Sequence, residues 1–292
     1  MTTIAAACFL LPVLALLPAR VQSGLRKELA AHPALVFAAP AILSAMFLAI
    51  AAAAGAFGAP LAALILVYTF VPSAAAYKIR AVPPPSAADF ALVLWFWLPL
   101  EFSVGAAWIP RSEQALLHVA AYGAALTLAL VIFLLFRGLE GMKYNLPRSA
   151  RDGVNLMAGF AIAAPVLIAA GRAVGFLGPA HRAADPRPGR LAVEFAVILL
   201  ATALPEELLF RSLIQNSLMQ RMGPGWGALL LAGWIFGCAH LDNGPGPLPN
   251  WRYMIVAAIA GVIYGRVFQK SSSVFASAGL HALVNTIKHN FF

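Results

Sequence analysis

The chain has 292 residues, of which 62% are apolar and only 11% are charged. A soluble protein of this length needs a larger polar surface, so the composition excludes an ordinary soluble domain and predicts an all-α, polytopic transmembrane helical bundle. The net charge is +9, but most Lys and Arg residues lie between apolar runs. No basic run carries interleaved aromatic residues, which excludes a nucleic-acid-binding surface.

Ten apolar runs in the sequence predict about eight to ten membrane helices. In chain order, the runs cover residues 3–18, 34–55, 59–77, 88–109, 115–136, 154–177, 191–218, 226–241, 253–269 and 273–290. No positively charged segment precedes the first run, which favours a retained first helix over a cleaved signal peptide. The distribution of Lys and Arg between alternate loops favours an outside N-terminus.

Two polar segments, residues 138–153 and 178–191, interrupt the apolar runs in the middle of the chain. We use them to separate an N-terminal transmembrane helical region, residues 1–153, from a C-terminal core, residues 154–292. The C-terminal core contains a group of ionisable residues inside predicted spans. Such residues cost on the order of 3 kcal/mol to insert into a membrane, so they normally face a cavity or a partner and indicate a functional site.

The stretch PEELLFRSL places two neighbouring acids, Glu206 and Glu207, near the middle of the predicted span 191–218. Positions four apart share one face of a helix, so Arg211 can pair with Glu207. Adjacent residues point about 100° apart, so the two acids cannot have the same role. This spacing predicts a structural ion pair between Glu207 and Arg211, which leaves Glu206 free to face a cavity and take up a proton.

Three more polar residues lie in later spans. His281 and Asn285 are one helical turn apart, and His240 ends the segment GWIFGCAH. A carboxylate beside a neutral imidazole can deprotonate water, and paired donors can stabilise the oxyanion formed at a peptide carbonyl. Glu206, His240, His281 and Asn285 therefore contain the parts needed for peptide hydrolysis.

The position of His240 sets a geometric condition on this site. In a straight helix that begins at Gly225, His240 would lie about 10 Å from the depth of Glu206. Helix tilt, or continuation of the helix beyond His240, is therefore required to bring the two residues together.

These residues form three motifs: EELLFR from Glu206, FGCAH ending at His240, and HALVN from His281 to Asn285. Their order and their placement in apolar spans resemble the CPBP family of CAAX-processing and bacteriocin-processing intramembrane proteases. The resemblance covers roughly residues 155–292. It implies an intramembrane endopeptidase that cleaves a membrane-proximal peptide or protein.

The resemblance also implies roles for individual residues. Glu206 and His240 would activate water, His281 and Asn285 would bind the oxyanion, and Glu207 and Arg211 would support the site. It implies no cofactor, although one Glu and two His could ligate zinc; the sequence has no His-Glu-x-x-His helix that would make that alternative specific.

Two further functions are compatible with the same residues. One is a non-proteolytic membrane scaffold or immunity protein of the same family, which keeps the pocket for binding. The other is a transporter with a proton relay, although the lack of visible repeat halves argues against it. The Ala- and Arg-rich composition is typical of bacteria with high genomic GC, so we expect a multi-pass protein of the bacterial inner membrane.

Overall fold

The computed structural model describes residues 10–181, 187–244 and 249–292, and regular structure in these ranges is helical, without a strand. This confirms the all-α prediction. Five helical segments are long and apolar enough to cross a membrane: Pro33–Ala53, Ala59–Lys78, Arg111–Phe136, Ala150–Ala173 and Trp251–Lys270. The predicted span 226–241 corresponds to a shorter apolar helix, Trp226–Cys238. Residues 3–9 of the predicted span 3–18 lie outside the described residues, and residues 10–15 of that span are helical.

The chain divides into two compact units, Met1–Glu140 and Gly141–Phe292. The described helices of the first unit are α1 (Ala19–Ala31), α2 (Ala38–Ala53), α3 (Ala59–Lys78), α4 (Ala87–Glu101) and α5 (Gln114–Ala129), which continues to Phe136 as a π-helix. The apolar runs did not predict α1, because it is rich in charged residues. Helix α4 ends at Glu101, earlier than the predicted span 88–109.

A buried ion pair holds α4 against the end of α5. Asp89 lies in the first turn of α4, where it forms a capping box with Ser86. The guanidinium of Arg137 donates to both carboxylate oxygens of Asp89, at 2.8 and 2.9 Å, and to the carbonyl of Ile79 at 2.7 Å. Arg137 therefore satisfies backbone and side-chain acceptors inside this unit.

The second unit contains α6 (Ala150–Ala173), α7 (from Pro188 to Met222), α8 (Trp226–Cys238), α9 (Trp251–Lys270) and α10 (Val274–Phe291). Helix α7 is irregular, because two π-helical stretches, Leu199–Ala203 and Leu208–Gln215, flank the short α-helical segment Leu204–Glu207. Pro205 has no N–H to donate within the helix, and wide π turns accommodate such a break. The two neighbouring acids thus lie on a local irregularity of α7.

Small residues bring α8 and α9 into close contact. A Cβ atom added to Gly237 would lie 2.7 Å from the carbonyl oxygen of Met254, and one added to Gly233 would lie 2.7 Å from the side chain of Val262. From the other side, a Cβ on Gly261 would lie 3.0 Å from the Cα of Gly233. Such small residues allow helix backbones to approach closely in membranes. This contact positions the end of α8, and with it His240, beside α9.

The polar segment before α6 packs on the loop between α9 and α10. The ammonium of Lys143 donates to the carbonyls of Phe268 and Ser271, at 2.7 and 2.8 Å, at the end of α9. Asp152 accepts from the backbone N–H of Ser272 at 2.7 Å. These contacts belong to the second unit, which begins at Gly141 and includes most of the polar segment 138–153.

Candidate active site

The centre of the site is a buried network of three residues from α7 and α10. The Nε of Arg211 lies 3.0 Å from Oε2 of Glu207, and both side chains are 0% exposed. The other carboxylate oxygen of Glu207 lies 3.3 Å from Nδ1 of His281. A carboxylate paired with a guanidinium can only accept, so Nδ1 of His281 carries the proton in this contact. Glu207 therefore orients both a cation and an imidazole.

Glu206 lies beside this network in a different environment. Its side chain is 23% exposed, and its Oε2 lies 3.9 Å from Nε2 of His281. That oxygen is itself buried and has no hydrogen-bond partner among the described residues. The structure thus separates the two acids as their spacing on a helix predicts: Glu207 is enclosed and paired with Arg211, whereas Glu206 is partly open and its buried oxygen forms no hydrogen bond within the described residues.

His240 occupies the turn that follows α8. Its backbone N–H donates to the carbonyl of Gly237, and its Nδ1 lies 2.7 Å from the carbonyl oxygen of Phe236. A carbonyl only accepts, so Nδ1 carries the proton, and a neutral ring keeps its lone pair on Nε2. No hydrogen bond or ion pair joins His240 to Glu206 in the described part of the chain; the imidazole that lies near Glu206 is that of His281.

One cavity connects the predicted histidines. His240, His281 and Asn285 all line a cavity of about 80 Å³ between α6, α8, α9 and α10. The side-chain amide of Asn285 has no hydrogen-bond partner within the described ranges, so both its donor and its acceptor are available to a ligand. The three residues meet although α8 ends at Cys238, because the turn after that helix carries the His240 ring to the cavity.

Aromatic side chains that we did not predict hold both imidazoles. The ring of Tyr264 stacks on His281, with centroids 4.9 Å apart and planes 24° apart. The ring of Tyr253 meets His240 edge to face at 4.7 Å. Their sequence signal is weak, since a tyrosine in an apolar span is usually part of the core or the membrane interface. Only the packing of α9 against α8 and α10 gives them a position in the site.

Lys288 is a further cavity residue that the motifs do not include. Its Nζ lies 4.5 Å from the ring centroid of Tyr253 and 4.9 Å from that of Phe176. The spacing contains a signal, because Lys288 follows His281 by seven residues, or about two helical turns.

The described ranges contain no group of three or more His, Cys, Asp or Glu residues arranged to hold a metal ion.

Part of the chain matches a known protein family. Residues 188–287 match the model of the Rce1-like family, described as type II CAAX prenyl endopeptidase. The matched segment runs from the start of α7 to near the end of α10, and it contains all six predicted site residues. The match confirms the resemblance to the CPBP proteases and identifies an Rce1-like domain, from a family of membrane proteases, in a multi-pass membrane protein. No curated protein and no solved structure matches the chain.

Proposed function

We propose that this protein is an intramembrane endopeptidase that hydrolyses a peptide bond near the membrane surface without a metal cofactor. One observation carries the proposal: two imidazoles and an amide, from the turn after α8 and from α10, line one cavity, and the carboxylate of Glu206 on α7 lies 3.9 Å from one of those imidazoles. The substrate is a peptide or protein segment at the surface of a bacterial inner membrane.

Glu206 acts as the general base in this proposal. Its carboxylate takes a proton from a water molecule that also donates a hydrogen bond to Nε2 of His240. The resulting hydroxide attacks the peptide carbonyl, and Glu206 then passes the proton to the leaving amine. A base positioned in this way contributes typically 10²- to 10⁴-fold to a rate. Glu206 suits this role better than Glu207, because the carboxylate of Glu207 is held by the guanidinium of Arg211 at 3.0 Å and is therefore a weaker base.

His281 and Asn285 stabilise the oxyanion. The amide of Asn285 donates from its NH₂ group, and His281 donates from Nε2 when its ring is protonated. Glu207 orients the His281 ring through its contact with Nδ1. Such preorganised donors are usually the largest single contribution to catalysis of acyl transfer.

The test is hydrolysis of membrane-anchored peptides by the full chain in proteoliposomes. The substrates are a panel of synthetic peptides anchored by a farnesyl group, a palmitoyl group or an apolar helix, and mass spectrometry identifies the products. We expect Glu206→Gln to reduce cleavage at least about 100-fold. Glu194→Gln is the matched control, since Glu194 lies on the same helix and pairs with Asn290 instead. The midpoint temperature of unfolding should stay near that of the unsubstituted protein for both variants.

Two further measurements separate this proposal from the alternatives. Activity that persists after treatment with a strong chelator supports the carboxylate mechanism over a zinc site. A scaffold or immunity function is favoured instead if Glu206→Gln and His240→Ala leave the cellular phenotype intact while no peptide is cleaved. Full activity of Glu206→Gln would refute the proposed mechanism.

A further inference from the structure

Lys288 is a cation in an otherwise mainly apolar cavity. Aromatic and aliphatic side chains from α6, α9 and α10 form most of the lining, together with the two histidines and Asn285. Lys288 is only partly exposed, and within the described ranges its ammonium has no carboxylate or hydrogen-bond partner. The ammonium lies over the ring faces of Tyr253 and Phe176. Ring faces attract a cation but accept little of its hydrogen-bonding capacity, so its three N–H donors remain available to an anion.

The two rings form a rigid platform for this ammonium. Phe176 and Tyr253 are stacked, with centroids 4.6 Å apart and planes 19° apart. Tyr253 also contacts the imidazole of His240. The platform therefore connects the ammonium of Lys288 to the wall of the proposed catalytic site, and Lys288 itself lines the cavity.

The spacing along α10 relates Lys288 to the reacting groups. His281, Asn285 and Lys288 occupy one face of the helix, since positions four and seven apart align. At 1.5 Å per residue, Lys288 lies about 10 Å from His281 and about 5 Å from Asn285 along the helix axis. An extended peptide advances about 3.3 Å per residue. A substrate whose carbonyl is held between His281 and Asn285 would therefore present a group two to three residues away to Lys288.

We propose that Lys288 determines specificity by binding a substrate carboxylate two to three residues from the cleaved bond. The inference rests on the proposed peptidase function for its distance from the bond, but the binding itself does not require hydrolysis. The carboxylate comes either from the C-terminus of the substrate or from an Asp or Glu side chain. An anion at this position compensates a cation that is otherwise partly removed from water without a charged partner.

The test uses palmitoyl-anchored peptides in three matched forms. The first ends in a free carboxylate, the second ends in an amide, and the third ends in an amide but carries Glu two or three residues after the scissile bond. Binding is measured by fluorescence anisotropy with the Glu206→Gln protein, and kcat/KM is measured with the active protein. We expect the unsubstituted lysine to favour one or both carboxylate forms over the amide by about 10- to 100-fold.

Substitutions at Lys288 then identify the cause of that preference. Lys288→Ala should remove the discrimination mainly through KM, Lys288→Arg should retain most of it, and Lys288→Glu should reverse it toward peptides with Lys at the same position. Lys270→Ala is the matched control, because Lys270 is exposed at the end of α9. Preference for the first form assigns the carboxylate to the C-terminus, and preference for the third assigns it to a side chain.

The outcomes distinguish this inference from the peptidase proposal. If no peptide is cleaved but carboxylate forms bind in a manner that depends on Lys288, the peptidase proposal fails and the carboxylate site stands. If peptides are cleaved without any carboxylate preference, or if Lys288→Ala weakens all three forms equally, the carboxylate site is refuted and the peptidase proposal stands. If Lys288→Arg keeps the carboxylate preference that Lys288→Ala removes, the loss in Lys288→Ala comes from the missing charge and not from misfolding.

Discussion

Removal of the charge on Glu207 should destabilise the second unit strongly. Glu207 and Arg211 are both 0% exposed, with Nε and Oε2 3.0 Å apart. Unit charges about 4 Å apart attract by about 4 kcal/mol at an effective dielectric constant of 20. Loss of one partner also leaves the other as an uncompensated buried charge, which typically costs about 3–5 kcal/mol. We therefore expect Glu207→Leu to lower the free energy of unfolding by about that amount.

The double substitution tests the physical reason for this loss. Two guanidinium nitrogens of Arg211, Nη1 and Nη2, are buried without a hydrogen-bond partner among the described residues, so replacement of Arg211 also removes two poorly satisfied donors. Apolar replacement of a whole buried ion pair is often neutral or stabilising. Glu207→Leu combined with Arg211→Met should therefore recover most of the lost stability, whereas hydrolysis should stay low because His281 has lost its partner at Nδ1.

The assay is reversible unfolding in mixed detergent micelles, followed by circular dichroism, for both single variants and the double variant. The double-mutant cycle isolates the coupling energy between the two side chains. A cost below about 1 kcal/mol for Glu207→Leu would refute the reasoning, since an exposed ion pair behaves in that way. The reasoning would also be refuted if the change in the free energy of unfolding of the double variant equalled the sum of the changes of the two single variants.

Two more predictions concern the oxyanion donor and the contact between helices. Asn285→Ala should lower kcat by about 10²- to 10³-fold with little change in KM, since loss of one such donor acts mainly on the transition state; an effect confined to KM would contradict its proposed role. Gly237→Ala should cost about 1–3 kcal/mol in the free energy of unfolding, because the new Cβ would lie 2.7 Å from the backbone oxygen of Met254. Gly225→Ala is the control, since nothing lies within 4 Å of its added Cβ; equal stability of the two variants would argue against close backbone contact.

Local spacing along the chain predicted the parts of the site that depend on a single helix. The Glu207–Arg211 pair forms as expected, because residues four apart on a helix are neighbours whatever surrounds them. The same spacing applies to Trp97 and Glu101 on α4, where the carboxylate of Glu101 accepts a 2.7 Å hydrogen bond from Nε1 of Trp97. The unequal environments of Glu206 and Glu207 follow from the angle between adjacent residues.

Contacts between helices could not be predicted in the same way. The imidazole that lies near Glu206 is that of His281, which also contacts Glu207, whereas His240 reaches the cavity from the turn after α8. This arrangement depends on how α10 packs against α7, and the sequence of either helix is compatible with several rotations. The π-helical stretches around Glu206 also change the directions in which the side chains of α7 point. In the sequence, Pro205 is the one residue that indicates these stretches.

The amino-acid sequence by itself determined that this is a helical membrane protein, because long apolar runs leave a chain no other way to satisfy its backbone in lipid. It also determined which ionisable residues are functional candidates, because burial of such groups in a membrane requires a partner or a cavity. Only the tertiary structure decided which of them meet, and that Lys288 lies over two stacked rings at the same cavity. Such contacts depend on helix rotation and depth, which are set by the packing of many side chains at once and by no single stretch of sequence.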